Sequence, residues 1–105
     1  MKRLPVSVLE DPAVRPPGFQ EALRLLERKG IALTAARYDL LQCIYSSDAS
    51  VSVEELVDIL SGSHRMLGAT MVYSYLRVFK RLGLVRELDA RFSARRYEAV
   101  RTLAV

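Results

Sequence analysis

Residues 69–88 read ATMVYSYLRVFKRLGLVREL, and the spacing of their hydrophobic residues changes at Gly83. Before Gly83, apolar residues recur every three or four positions, which predicts an amphipathic helix from about Ala69 to Leu82. After it, apolar and polar residues alternate, which predicts a strand over residues 84–88. Gly83 itself can provide the left-handed residue with which helices commonly end. A helix followed directly by a strand is therefore the central feature of this chain.

Three more helices are predicted upstream of this one. The first spans about residues 17–29, and the second spans about residues 34–45 with Thr34 as its N-cap. The third begins at Ser52, which can form a capping box with Glu55 three residues later. Its inward-facing residues are expected to be Leu56, Ile59 and Leu60.

A second strand is predicted over residues 95–100, and it would pair with the first strand across a loop at residues 89–94 to form a β-hairpin. Three helices followed by a hairpin make a winged helix-turn-helix, in which the hairpin is the wing and the helix over residues 69–82 is the recognition helix. The predicted fold class is mainly α with a β-hairpin wing, and the first helix is an extra N-terminal element.

The chain is interpreted as one domain with two short extensions. Its 105 residues fit a single domain, which we place at residues 18–101. All four prolines fall within residues 1–17, and we interpret this segment as an arm because proline disfavours helix. Residues 102–105 would form a short C-terminal tail.

Positive charge is concentrated in the C-terminal part of the chain. The net charge is +4, but residues 1–64 carry seven Lys and Arg against nine Asp and Glu, whereas residues 65–105 carry nine against three. A basic region at one end of a molecule favours an anionic partner such as double-stranded DNA, although a solvated basic surface would have the same composition.

The recognition helix has a polar and basic outer face if Val72, Leu76 and Phe79 form its buried stripe. In a helix-turn-helix this helix enters the major groove, and its N-terminal residues contact base edges. Arg77 could bond guanine, and Tyr73 could bond phosphate or pack on a thymine methyl, but each could also be an ordinary surface residue. The candidate DNA-contacting residues of this helix are Thr70, Met71, Tyr73, Ser74, Arg77, Lys80 and Arg81.

Arginines outside the recognition helix extend this set. Arginines on a wing suit phosphate contact or insertion into a narrow minor groove. Acidic residues nearby can pair with some of the five hairpin arginines, so we expect one or two of the five to be structural or idle. These five are Arg86, Arg91, Arg95, Arg96 and Arg101. The further candidates are Arg91, Arg95 and Arg96 in the wing, Arg37 near the start of the second helix, and Arg65 in the turn before the recognition helix.

The chain offers few groups for metal binding or catalysis. A zinc or iron site needs three or four convergent ligands. Cys43 and His64 are the only cysteine and histidine. We expect Cys43 to be a small core residue and His64 to lie in a loop or contact phosphate. No glycine-rich phosphate loop or paired nucleophile and base is evident. The sequence therefore predicts no metal, no cofactor and no enzymatic activity.

The sequence is typical of a cytoplasmic protein. A single cysteine precludes an intramolecular disulfide, and the apolar runs are too short to cross a membrane. No long apolar stretch follows the basic residues at the N-terminus, so no secretory signal is expected.

From about Phe19 to Val100, the chain resembles the DNA-binding half of the ferric uptake regulator family of bacterial repressors. Each motif is short, and their order and spacing together carry the resemblance. The motifs are Gly30, Thr34 and Arg37, the helix start Ser52 to Leu56, the pair Val72 and Tyr73, then Leu76 and Phe79, the exit Gly83, Leu84 and Val85, and the pair Tyr97 and Glu98.

The chain departs from the family pattern at several positions. Ser74 stands where the family usually has arginine, and Met71 stands where it usually has threonine, so the recognition helix is expected to read a different sequence. Residues 49–51 occupy the region of a metal-binding histidine. Family members also continue into a metal-binding dimerisation domain, whereas this chain ends at Val105. The resemblance therefore implies a repressor's DNA-reading domain without metal sensing.

Two functions fit these observations. The first is a DNA-binding transcriptional regulator, by resemblance a repressor, acting as a homodimer through the arm, the first helix or the tail. The second is a protein-interaction module that binds another regulator or a polymerase through Met66, Leu67 and Met71. Salt dependence separates them, because contacts to ~5 phosphates give a log–log salt slope of about −4.

Overall fold

The computed structural model describes residues 17–88 and 95–101. Within these residues the chain forms a three-stranded antiparallel sheet in the order β1-β3-β2 and four helices. This is the predicted winged helix-turn-helix with an additional first helix. The predicted loop at residues 89–94, the tail and nearly all of the arm lie outside the described residues. The elements are α1 Phe19–Arg28, α2 Ala35–Ser46, β1 Val51–Ser52, α3 Val53–Leu60, α4 Ala69–Arg81, β2 Val85–Leu88 and β3 Arg96–Ala99.

Local side-chain chemistry sets the helix boundaries where the sequence predicted them. The Thr34 hydroxyl accepts a hydrogen bond of 3.2 Å from the amide three residues further on. Ser52 and Glu55 form the predicted capping box, with bonds of 3.1 and 2.8 Å. Gly30 and Gly83, which follow α1 and α4, adopt φ values of 71° and 78°, where other residues would be strained. All of these boundaries depend on neighbours in sequence.

Strand β1 is an element that the sequence did not predict. It pairs with β3 through Val51 and Tyr97 and through Ser52 and Arg96, which makes β3 the central strand. Two residues are too few to show the alternation that identifies a strand. The pairing anchors the wing to the start of α3, so the hairpin is part of a sheet.

The core lies between the helices and the sheet. On α4, Val72, Leu76 and Phe79 are at most 1% exposed, which confirms the buried stripe predicted from their spacing. Phe19 on α1 and Leu84 before β2 are fully buried in the same cluster. Burial of one stripe of α4 leaves the opposite face of that helix exposed.

The prediction for Ile59 was wrong, because its side chain is 45% exposed. Helix α3 has only eight residues, and it buries Val53, Leu56 and Leu60. Ile59 lies roughly a quarter turn from the line through those residues. It therefore sits at the edge of the buried face.

None of the helices among the described residues has the length and apolar character needed to span a lipid bilayer.

Tyr45 joins the helices to the wing. Its ring is 1% exposed, and its hydroxyl lies 2.7 Å from the carbonyl oxygen of Leu84 and 3.0 Å from that of Val100. Burial raises the pKa of Tyr45 to about 12, although the nearby Arg101 charge opposes this. The hydroxyl therefore keeps its proton near neutral pH and can donate to these carbonyls. Because Leu84 and Val100 flank the two strands of the hairpin, this contact fixes the position of the wing.

Replacing Tyr45 with phenylalanine should lower the free energy of unfolding by about 1–2 kcal/mol, because buried carbonyl groups lose a donor. Urea denaturation of wild type and Tyr45→Phe measures the difference. Tyr38→Phe is the matched control, since the Tyr38 ring packs on Phe19 and its hydroxyl has no partner among the described residues. Equal destabilisation by the two substitutions would contradict this role for the Tyr45 hydroxyl.

Candidate nucleic-acid interface

Helix α4 presents the polar and basic face that the sequence predicted. Because its buried stripe is fixed by the core, the remaining residues turn to solvent. Met71 and Tyr73 are 41% and 37% exposed on this face. The exposed members of the predicted set on this helix are Thr70, Met71, Tyr73, Ser74, Arg77, Lys80 and Arg81.

A groove runs between this face and the hairpin. Five of the predicted residues on α4 line it, and the wing contributes Arg95 from the predicted set. Met71 and Arg81 are exposed on α4 but do not line the groove. The lining residues are Thr70, Tyr73, Ser74, Leu76, Arg77 and Lys80 from α4, and Glu87, Arg95 and Tyr97 from the hairpin.

Glu87 and Tyr97 are groove residues that the sequence analysis did not identify. Oε1 of Glu87 lies 3.3 Å from Nζ of Lys80 and accepts a hydrogen bond of 3.3 Å from the Tyr97 hydroxyl. Oε2 lies 3.8 Å from Nε of Arg95. Burial raises the pKa of Tyr97, and the neighbouring Glu87 charge raises it further. The hairpin register, which pairs Glu87 with Tyr97, could not be read from the sequence.

Arg96 is held by short hydrogen bonds, whereas its neighbour Arg95 has the longer ion pair with Glu87. Its guanidinium donates to the side chain and the carbonyl of Ser50 at 2.9 and 2.8 Å, and to Oε1 of Glu55 at 2.9 Å. The pKa of Glu55 is lowered, first by the amide of Ser52 and further by Arg96. Adjacent strand residues point to opposite faces, so Arg96 points away from the face that carries Tyr97. The sequence analysis named Arg96 as a candidate DNA contact, and in the structure its guanidinium is bonded to Ser50 and Glu55.

The other predicted arginines have different surroundings. Nη1 of Arg37 donates to the carbonyl of Ala32 at 2.6 Å, and its guanidinium lies 5.3 Å from the centre of the Tyr75 ring. Arg37 thus links the segment before α2 to α4. Arg65 is exposed in the turn between α3 and α4. Arg91 lies outside the described residues.

The described residues do not fit a metal site of the kind that the family resemblance implies. Within residues 17–88 and 95–101, no three side chains of His, Cys, Asp or Glu come together as a possible metal-binding group. Nε2 of His64 lies 2.7 Å from Oδ2 of Asp39. Cys43 packs against the core as expected, and burial followed by the Asp39 charge raises the pKa of its thiol. A metal needs the thiolate, so this environment disfavours coordination.

Replacing Arg96 with alanine should destabilise the fold by about 1–2 kcal/mol, because Ser50 and Glu55 lose their donor. Arg95→Ala, the neighbouring substitution of the same charge, should change the stability by less than about 0.5 kcal/mol since Arg95 is largely exposed. Urea unfolding measures both variants. If Arg96→Ala loses DNA binding without losing stability, Arg96 contacts DNA and its hydrogen bonds to Ser50 and Glu55 do not stabilise the fold.

Comparison with known proteins agrees with this geometry. The peroxide operon regulator of Bacillus subtilis (strain 168) is 31% identical over 82 residues, which are 78% of this chain and 57% of that protein. The structure of PerR from Streptococcus pyogenes matches with a TM-score of 0.74 at 21% identity, over 79% of this chain and 57% of that one. A zinc uptake regulator complexed with zinc and DNA matches with a TM-score of 0.69 at 19% identity, over 80% of this chain and 54% of that one.

These structural likenesses show a shared fold, and the chain spans somewhat more than half the length of the proteins it matches. The sequence pattern of the ferric uptake regulator family matches residues 28–103, which is most of the chain. The resemblance seen in the sequence motifs is therefore confirmed. Members of this family are transcriptional regulators and not enzymes. The chain belongs to the ferric uptake regulator family.

Proposed function

We propose that this chain is a DNA-binding transcriptional repressor in which α4 reads the major groove and the hairpin contacts the phosphate backbone or the adjacent minor groove. The observation that carries the proposal is the groove between α4 and the wing, which is lined by exposed polar and basic side chains. The zinc uptake regulator of the same fold has been solved with DNA. The B. subtilis relative is named as an operon regulator.

Base reading is assigned to Tyr73, Ser74 and Arg77. These residues share the outer face of α4 and line the groove. Arg77 makes no hydrogen bond or ion pair with any other described residue, so its guanidinium is available for bidentate bonding to guanine. Arg37 and Arg96, in contrast, are held by groups of the protein.

Phosphate contacts are assigned to the cations around this reading face. Lys80 and Arg95 line the groove. Arg65, in the turn before α4, and Arg81, the last residue of α4, are also exposed. Arg91 belongs to the same proposed set through its sequence position alone. Contacts of this kind position the protein on the duplex without reading its sequence.

A homodimer on a two-fold symmetric site is part of the proposal, because one domain of this size offers few DNA contacts. The predicted interface is the arm, α1 or the tail. Of these, only α1 lies wholly within the described residues. Selection of palindromic sites from a random pool would support the dimer.

The protein-interaction module remains a second candidate, because Met66 is 88% and Met71 is 41% exposed. An apolar side chain this exposed beside a proposed interface is suited to a partner protein. Leu67, which was predicted to join them, is buried in the core and is not available for such a contact. The two functions differ in their salt dependence, since only phosphate contacts give a steep log–log slope.

Substitution of Arg77 by alanine should weaken binding to a selected duplex by about 10–100-fold and relax the base preference at one position, because the bidentate contact is lost. Tyr73→Ala should also change the preference. Selection from a random pool followed by sequencing measures both effects. Arg24→Ala on α1 removes the same charge away from the groove and should retain the preference. If Arg77→Ala and Tyr73→Ala fold and select the wild-type site unchanged, α4 is not the reading element.

DNA binding by this chain is also proposed to be independent of a bound metal. The support is the chemistry of its two best potential ligands, since His64 contacts Asp39 and the Cys43 thiol is held protonated by burial. The affinity for a selected duplex should therefore be unchanged, within about twofold, after treatment with a chelator. Titration by fluorescence anisotropy with and without EDTA measures this. Loss of binding that added zinc or iron restores would overturn metal independence.

A further inference from the structure

Glu87 is the acidic residue of the groove that we propose to face DNA. Its side chain is 26% exposed, whereas those of its cationic neighbours Lys80 and Arg95 are 54% and 65% exposed. The carboxylate is thus set into the groove, and the two cations lie around it near the surface. A negative charge at this position would repel a DNA phosphate.

The groups around Glu87 are those that would otherwise bind a phosphate. Lys80 and Tyr97 each donate a hydrogen bond of 3.3 Å to this carboxylate, and the Arg95 guanidinium forms an ion pair with it at 3.8 Å. The phosphate of DNA is an anion with the same preference for these donors. While Glu87 pairs with them, Lys80 and Arg95 present one net positive charge to a phosphate, whereas without Glu87 they would present two.

We propose that Glu87 is an internal competitor of DNA, because its carboxylate competes with a backbone phosphate for Lys80 and Arg95. The inference rests on the proposed function, because it assumes that the groove meets a duplex. Its consequence is a limit on the sequence-independent part of the affinity. Among residues 17–88 and 95–101, Arg77 has no such carboxylate partner, so we assign the restraint to the phosphate contacts and not to base reading.

The hairpin provides a matched control for this role. Glu98 pairs with Arg86 at 3.4 Å, and these two residues are opposite each other in the register. The neighbouring pair in the register is Glu87 and Tyr97. Adjacent pairs project to opposite faces of the strands, so Glu98 points away from the groove. Glu87→Gln and Glu98→Gln therefore remove the same charge from the same hairpin on different faces.

Binding of a mixed-sequence duplex by wild type, Glu87→Gln and Glu98→Gln tests the proposal, with fluorescence anisotropy at about 50 and 200 mM salt. One more cation available to phosphate steepens the log–log salt slope by about 0.9, which is a factor of about 3.5 over this range. We expect Glu87→Gln to bind roughly tenfold tighter than wild type at the lower salt and roughly threefold tighter at the higher salt. Glu98→Gln should gain less than about twofold at either salt.

A second variant, Lys80→Gln, tests whether Glu87 limits DNA binding through its contact with Lys80. Lys80→Gln should weaken binding by less than about twofold in the wild-type background, because the lost phosphate contact is partly offset by a Lys80–Glu87 pair that binding no longer has to weaken. The loss should be about threefold or more when Glu87 is also Gln. Circular dichroism and thermal unfolding verify that the variants are folded. Equal affinity of Glu87→Gln and Glu98→Gln, an unchanged salt slope, or additive effects with Lys80→Gln would overturn the inference while leaving the proposed function intact. Failure of wild type to bind any duplex at either salt would overturn both.

Discussion

The hydroxyl of Tyr45 is the contact on which the geometry of the proposed interface depends. It joins a helix to carbonyl groups 39 and 55 residues further along the chain, on either side of the hairpin. Arg101 reinforces this link between α2 and the hairpin, because its guanidinium donates to the carbonyls of Tyr45 and Ser47 at 2.7 and 2.6 Å. A groove between α4 and the wing exists only if the wing is held at a fixed distance from the helices. The Tyr45 hydroxyl provides that constraint together with the pairing of β1 and β3, and Tyr45 is not among the residues that line the groove.

The arginines of this chain fall into two groups that composition does not distinguish. Arg37, Arg96 and Arg101 donate to backbone carbonyls, where a fixed planar fork is well suited to hold two segments together. Arg77 makes no such bond among the described residues. Arg95, which is next to Arg96 in sequence, has the longer contact to Glu87 as its one ion pair within the described part of the chain. The charge excess after residue 64 therefore overstates the charge that is available to DNA.

Features that depend on local sequence were predictable, and those that depend on long-range pairing were not. The ends of the helices at Thr34, Ser52 and Gly83 follow from residues within a few positions, and the buried stripe of α4 follows from helical spacing. The role of Arg96 depends on Ser50, which is 46 residues away. The place of Glu87 in the groove depends on the hairpin register and on Lys80 one element earlier. Pairing of this kind leaves no periodic signal in a single sequence.

The position of an arginine along α4 bears on which base it would contact. In the family pattern an arginine usually follows the Val-Tyr pair, and here that position is the short side chain of Ser74. Ser74 and Arg77 are three residues apart on α4 and line the same groove, so Arg77 lies about one turn further along the helix. An arginine moved by one turn shifts by about 5 Å along the helix axis. The reading contact would therefore fall on a different base step, which gives a physical reason for a changed sequence preference without a changed fold.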